Sequence, residues 1–158
     1  MASEREWERL GVGRAMFLGE FQHTLDPKGR VILPSAFREE LAEGLVMTVG
    51  LDHCLTVHPV ADWQRVIEGL RGLRTTDARE RMFSRMITSH AHPESPDRQG
   101  RITIPPRLRD YAGLAKDVTI VGADSRLELW DSEAWNAYRE QGMNEFASTE
   151  QAFDLGIF

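Results

Sequence analysis

The sequence predicts an α+β fold, mainly β with short helices, built from two copies of one unit. Three observations carry that expectation. First, Asp26-Pro27-Lys28-Gly29-Arg30 and Asp97-Arg98-Gln99-Gly100-Arg101 both read Asp-x-x-Gly-Arg, 71 residues apart, and each precedes a short run ending in proline, Val31-Ile32-Leu33-Pro34 and Ile102-Thr103-Ile104-Pro105. Self-similarity at a long period marks a repeated structural unit. Second, the match continues at an offset of 72: Val49-Gly50-Leu51-Asp52 with Val121-Gly122-Ala123-Asp124, Leu55-Thr56-Val57 with Leu127-Glu128-Leu129, and Trp63 with Trp135. One inserted residue accounts for the change of offset. Third, period-two stretches in each copy lead into a stretch of helical spacing.

Taken in order, Met1 to Ala15 shows no strong pattern and reads as a flexible N-terminal extension. Phe17, Gly19, Phe21, His23 and Leu25 alternate with polar residues, which predicts a half-buried strand. Val31 to Leu33 is the return strand. Pro34 opens a short helix to Ala42, with Leu33, Phe37 and Leu41 spaced four apart. Leu45–Val49 and Cys54–His58 are strands about a turn. The second copy repeats the plan with a weak strand over Ser89–Ser95, a strand over Arg101–Ile104, a helical turn over Pro105–Tyr111, and a hairpin of Val118–Val121 and Arg126–Trp130. Helical stripes follow: Trp63, Val66, Ile67, Leu70 and Leu73; then Met82, Phe83, Met86 and Ile87 behind a cap at Thr76 or Asp77; then Trp135, Tyr138 and Phe146 behind a cap at Asp131. These stripes are expected to pack on the sheets or against another subunit. The division is 1–15 extension, 16–62 first repeat, 63–88 helical connector, 89–132 second repeat, 133–158 C-terminal helix and tail.

The motifs have readable local physics. Aspartate first, proline second and glycine fourth suit a type I turn closed by a glycine bulge. The aspartate side chain accepts from backbone two residues on. Asp26, Gly29, Asp97 and Gly100 are therefore turn formers, and Lys28, Arg30, Arg98 and Arg101 are thrown outwards. Lys28 corresponds to Gln99, so the two turns differ in charge. Taken alone, either motif reads as solvated surface; two copies beside rigid turns point to a cationic binding edge.

Composition narrows the classes. The net charge of −6 argues against a generic nucleic-acid binder, and residues 132–158 carry one basic group against five acidic. Binding to a polyanion must be local and multiplied by oligomerisation. No apolar run reaches membrane-spanning length, no secretory leader is evident, and the single cysteine, Cys54, fits a reducing cytosol. No catalytic set assembles. Cys54 and His58 lie roughly 13 Å apart at strand rise, and His90-x-His92 lacks the spacing of a strong metal motif. No enzyme, cofactor or metal site is expected.

Met16-Phe17-Leu18-Gly19-Glu20, Leu25 through Pro34, Phe37-Arg38, the second motif, Val121-Gly122 and Leu127 through Asp131 together resemble the MraZ family over about residues 16–146. The resemblance implies two intertwined swapped-hairpin SpoVT/AbrB-type repeats forming a pseudo-symmetric β-barrel. It implies a cytoplasmic, nucleoid-associated transcriptional regulator of the division and cell-wall gene cluster. As partners it implies double-stranded promoter DNA with direct repeats and a ring-shaped homo-oligomer, with Lys28, Arg30, Arg98 and Arg101 facing DNA. The rival expectation is a structural or protein-interaction β-barrel ring whose charged turns bridge subunits. A metal-dependent reading through His90 and His92 would need bound metal.

Overall fold

The computed structural model describes residues 16–149; the N-terminal extension and residues 150–158 lie outside the described residues. Eight strands are formed: β1 (Glu20–Thr24), β2 (Arg30–Ile32), β3 (Leu45–Val49), β4 (Leu55–Pro59), β5 (His92–Glu94), β6 (Arg101–Thr103), β7 (Asp117–Gly122) and β8 (Leu127–Asp131). Five α-helices accompany them: α1 (Arg38–Leu41, after a 3₁₀ turn at Ser35–Phe37), α2 (Val60–Arg71), α3 (Ala78–His90), α4 (Pro106–Ala112) and α5 (Ser132–Ala147). The strands form a six-stranded sheet in the order β1-β7-β8-β4-β3-β5 and a separate two-stranded ribbon, β2-β6, every pairing being antiparallel.

The two repeats exchange strands. β1 of the first copy pairs with β7 of the second, and β5 of the second pairs with β3 of the first. The ribbon takes one strand from each copy, and β4 meets β8 at the centre of the sheet. Exchanging copies turns the strand order into itself reversed. Alternation decides which residues of each strand enter the main core: Leu45, Met47, Leu55, Val57, Val118, Ile120, Leu127 and Leu129 meet Val31, Leu33, Ile102, Ile104, Phe37 and Leu108 there, while β3 and β4 are buried on their other face as well. Neither repeat can bury its apolar face alone, because the residues covering it come from the other.

The ladder corrects the repeat alignment at one point. Val49 lies opposite Leu55, whereas Gly122 lies opposite Leu127. Since Leu55 corresponds to Leu127, Val49 corresponds to Gly122 and Gly50 to Ala123. Two residues are therefore inserted before β7, and one is removed in the hairpin. The Gly50–Cys54 backbone bond spans three loop residues, and the Ala123–Arg126 bond spans two. The Val-Gly pairs agree in sequence without occupying equivalent places.

Local chemistry explains most boundaries. The expected strand from Phe17 is shorter, beginning at Glu20; Phe17 instead makes an isolated bridge to Asp124. Asp77 caps α3 by accepting from the Arg79 and Glu80 backbone N–H groups, both at 2.9 Å, which decides between Thr76 and Asp77. That helix runs to His90, so the expected strand over Ser89–Ser95 is confined to His92–Glu94. Asp131 caps α5 through Ala134 N–H. The helical stripes are only partly covered: Met82, Phe83, Met86, Tyr138 and Phe146 stay exposed. Met82, Phe83 and Met86 of α3 and Tyr138 of α5 line a groove of about 820 Å³ whose floor includes Thr48, Thr56 and His58.

Candidate nucleic-acid interface

Each motif folds as one rigid unit around its aspartate. Asp26 Oδ1 accepts from the backbone N–H groups of Lys28 and Arg30, and Oδ2 accepts from Arg30 Nε at 2.7 Å. Gly29 N–H donates to the Asp26 carbonyl, and Asp26 N–H to that of Arg30. Asp97 repeats the set with Gln99, Arg101 and Gly100. Gly29 and Gly100 both have φ +76°, a conformation that side chains other than glycine's rarely adopt. The backbone N–H of Arg30 is the main cause holding the Asp26 carboxyl below the usual carboxylate range, assisted by the Arg30 guanidinium; Arg101 does the same for Asp97. Both aspartates therefore stay ionised at neutral and mildly acidic pH.

The ribbon brings the two turns onto one face. Arg30 pairs with Thr103, Val31 with Ile102 and Ile32 with Arg101. Directly opposed residues share a face, so Arg30, Ile32, Arg101 and Thr103 look outward while Val31 and Ile102 enter the core. Arg30 and Arg101 sit two positions apart along the ribbon and one strand across, roughly 8 Å between Cα atoms. With Nε bound to its own aspartate, each guanidinium has its two terminal nitrogens left, and among the described residues no protein acceptor takes them. Lys28 and Arg98 are exposed at the turn tips.

Three further residues belong to this face. Ile32 is 41% exposed between the two arginines, as strand alternation from buried Val31 requires. Arg38 lies against Gly100: a methyl group built there would fall 2.6 Å from Arg38 Nε. Arg109 lies against Gly29, where the corresponding methyl would fall 2.8 Å from its Cζ. Arg38 and Arg109 are themselves 71 residues apart, so the repeat spacing signals them as a pair, although only contacts between the copies show what they touch. Leu33 N–H donates to the Gly100 carbonyl and Ile104 N–H to that of Gly29, both at 2.8 Å, which ties each glycine to the opposite copy.

The other titratable candidates stand elsewhere. Burial, above all, pushes the Cys54 thiol up to about 12, so it stays protonated and unreactive. His90 Nδ1 bonds within its own helix to the Met86 carbonyl, and His92 Nε2 sits 3.2 Å from Glu94. Among the described residues no three His, Cys, Asp or Glu side chains gather as a metal-binding group, and no helix is long and apolar enough to cross a membrane. His58 faces the groove with Nε2 3.1 Å from Thr56 Oγ1. Burial first, and the Arg126 charge second, lower its pKa to about 4, against the opposing pull of Asp62. Because an unfolded histidine titrates near 6.5, only the unfolded state takes up this proton between the two values. Stability is thus complete above about pH 6.5 and declines as pH falls towards 4, by about 3 kcal/mol in all from this residue. Urea titrations at pH 7.5, 6 and 5 should show that decline, with a clearly shallower one in His58→Gln; equal slopes in the two proteins would remove His58 as the cause.

A family model described as MraZ protein, of antitoxin-like type, matches residues 16–86 and again residues 87–156. Proteins named transcriptional regulator MraZ from Leifsonia xyli subsp. xyli and Micrococcus luteus are each 46% identical over 143 residues, covering 90% of this chain and all of theirs. One of the same name from Natranaerobius thermophilus is 45% identical, with the same coverage.

Proposed function

The chain belongs to the MraZ family, and from that premise we propose that it is a sequence-specific DNA-binding transcriptional regulator, acting without catalysis. The observation that carries the reading is the outward face of the β2–β6 ribbon. A two-stranded ribbon fits the major groove of B-DNA. Arg30 and Arg101 stand on that face with Nε locked by aspartate, and their paired terminal nitrogens match the O6 and N7 acceptors of guanine. Ile32 between them is suited to a thymine methyl group, while Lys28 and Arg98 at the tips suit phosphates.

The strand exchange is the pairing a swapped-hairpin SpoVT/AbrB-type barrel needs. A ring-shaped homo-oligomer is favoured by the uncovered apolar groove at Met82, Phe83, Met86 and Tyr138, and a ring aligns many ribbons side by side. Direct repeats about 10 base pairs apart would then meet successive ribbons on one face of the duplex. Avidity over those contacts offsets the acidic charge of the whole chain. The target proposed is the promoter of the division and cell-wall gene cluster, with the protein cytoplasmic and associated with the nucleoid.

Fluorescence anisotropy with the DNA upstream of this gene, against scrambled DNA of equal length and over a salt series, tests the proposal. Tight, salt-sensitive binding with a preference for the upstream DNA is expected. A correctly assembled oligomer that shows no preference would leave the structural-ring reading in its place.

A further inference from the structure

Arg38 and Arg109 have no part in the motif, yet each lies against the motif of the opposite repeat. We propose that they are phosphate-binding residues of the DNA interface, so that each recognition turn is a composite site: Lys28 and Arg30 with Arg109, and Arg98 and Arg101 with Arg38. The inference rests on the DNA-binding reading above and extends it to residues outside the Asp-x-x-Gly-Arg sequences.

Geometry is the first support. The Arg38 side chain packs on Gly100 with Nε donating to the Leu33 carbonyl at 3.1 Å. That bond and that packing use one edge and part of one side of a planar guanidinium, which leaves the terminal fork for an external acceptor. A fork of this kind takes two oxygens of a phosphate at once. Arg109 packs on Gly29 in the same way, with its Cζ, Nη1 and Nε all about the glycine's missing side chain. The absence of a side chain at Gly29 and Gly100 thus does two things. It permits the positive φ, and it leaves the space that the opposite repeat's guanidinium occupies.

Charge is the second support. No carboxylate among the described residues forms an ion pair with Arg38 or Arg109, whereas Arg30 and Arg101 each have one. Arg109 Nε is moreover buried and without a hydrogen-bond partner, the one such side-chain atom among the described residues. A buried guanidinium nitrogen left unpaired is costly, and no acceptor among the described residues offsets that cost. Arg38 and Arg109 bring the cations of the two turns to six, against the two carboxylates, Asp26 and Asp97, contained in those turns. That is a local excess of positive charge on a chain whose net charge is −6.

The division of labour follows from how each cation is held. Arg30 and Arg101 are oriented by a carboxylate and read base edges; Arg38 and Arg109 are laid flat against backbone and hold the phosphodiester alongside. Phosphate contacts carry no sequence information, and each contributes about 0.9 to the slope of log affinity against log salt.

The test uses full-length protein, with upstream and scrambled duplex DNA measured over a salt series. Arg38→Gln and Arg109→Gln keep most of the side-chain stem and remove the charge. Each is expected to weaken both DNAs by the same factor, about fivefold per engaged turn near 0.15 M salt, and to lower the salt slope by about 0.9 per engaged turn. Arg38→Lys, which keeps a point charge, should retain the wild-type slope. Thermal melting checks that the variants are folded, and since Arg38 is exposed its variants decide the matter if Arg109→Gln melts early. An unchanged slope in the Gln variants overturns the proposal, as does a loss confined to the upstream DNA, which would mean that the arginines only brace the turn. In either case a wild-type protein that prefers the upstream DNA leaves the regulator reading standing. A wild-type protein that binds neither DNA overturns both.

Discussion

Arg30→Ala is expected to abolish preferential binding to the upstream DNA while leaving the oligomer intact. One bidentate arginine–guanine pair discriminates by about 1–3 kcal/mol, and an assembly that engages several ribbons loses that amount at each, so specific affinity should fall to the non-specific level. Residual, salt-sensitive binding from Lys28, Arg98 and the other cations should persist on scrambled DNA. Folding should be little affected. Arg30 is a surface residue whose hydrogen bonds through Nε go to Asp26 alone, and the backbone half of the turn, from Asp26 Oδ1 to the N–H groups of residues 28 and 30, does not need its side chain. Anisotropy and sedimentation velocity on the same sample decide the matter. Wild-type preference retained in the variant would remove Arg30 from recognition. Dissociated subunits would instead place the charged turns in a subunit contact.

Gly122→Ala should cost about 2–4 kcal/mol of folding stability, the scale on which loss of a buried aromatic anchor is measured. The first residues of the described chain cross directly over this position: Phe17 pairs with Asp124 through two backbone bonds, and Gly122 N–H donates to the Gly19 carbonyl at 2.8 Å. A methyl group on Gly122 would lie 2.5 Å from Leu18 N and from the Phe17 carbonyl carbon. These are backbone atoms and cannot rotate away, so the crossing segment must lift. It would carry Phe17 with it, a fully buried ring packed edge-on against Phe37 with centroids 5.2 Å apart. Gly142→Ala is the matched control. It sits within α5 with nothing inside 4 Å of the added methyl, so it should raise stability by about 0.5–1 kcal/mol through helix propensity. Denaturant titrations of the two variants should move in opposite directions; a neutral Gly122→Ala would show that the crossing segment holds little of the fold.

Most of the local structure was legible because it is decided by neighbours in the chain. Asp, Gly and Arg at fixed spacing form a turn wherever they occur, and here both copies close through the expected aspartate bonds. The helix caps at Asp77 and Asp131 follow from the same short-range chemistry. The Val-Gly match misled for an instructive reason. Gly50 stands where a side chain would press on Cys54 Sγ at 2.8 Å, and Gly122 where it would press on a crossing backbone. Two unrelated packing demands selected the same residue one position out of register, and a one-residue shift is invisible until the ladder shows which residues oppose each other.

By itself, then, the sequence determined that the chain is a doubled α+β unit, where its turns and most of its strands lie, and which four cations those turns expose. Periodicity and turn chemistry act over a few residues, and two copies of a pattern reinforce each other. Only the tertiary structure decided that the copies exchange strands, that Arg30, Ile32 and Arg101 share the outer face of one ribbon, and that Arg38 and Arg109 each rest on the other copy's glycine. Those facts depend on contacts between residues 45 to 101 positions apart, formed because neither repeat can cover its own apolar face, and no local pattern encodes which of the two copies will supply the cover.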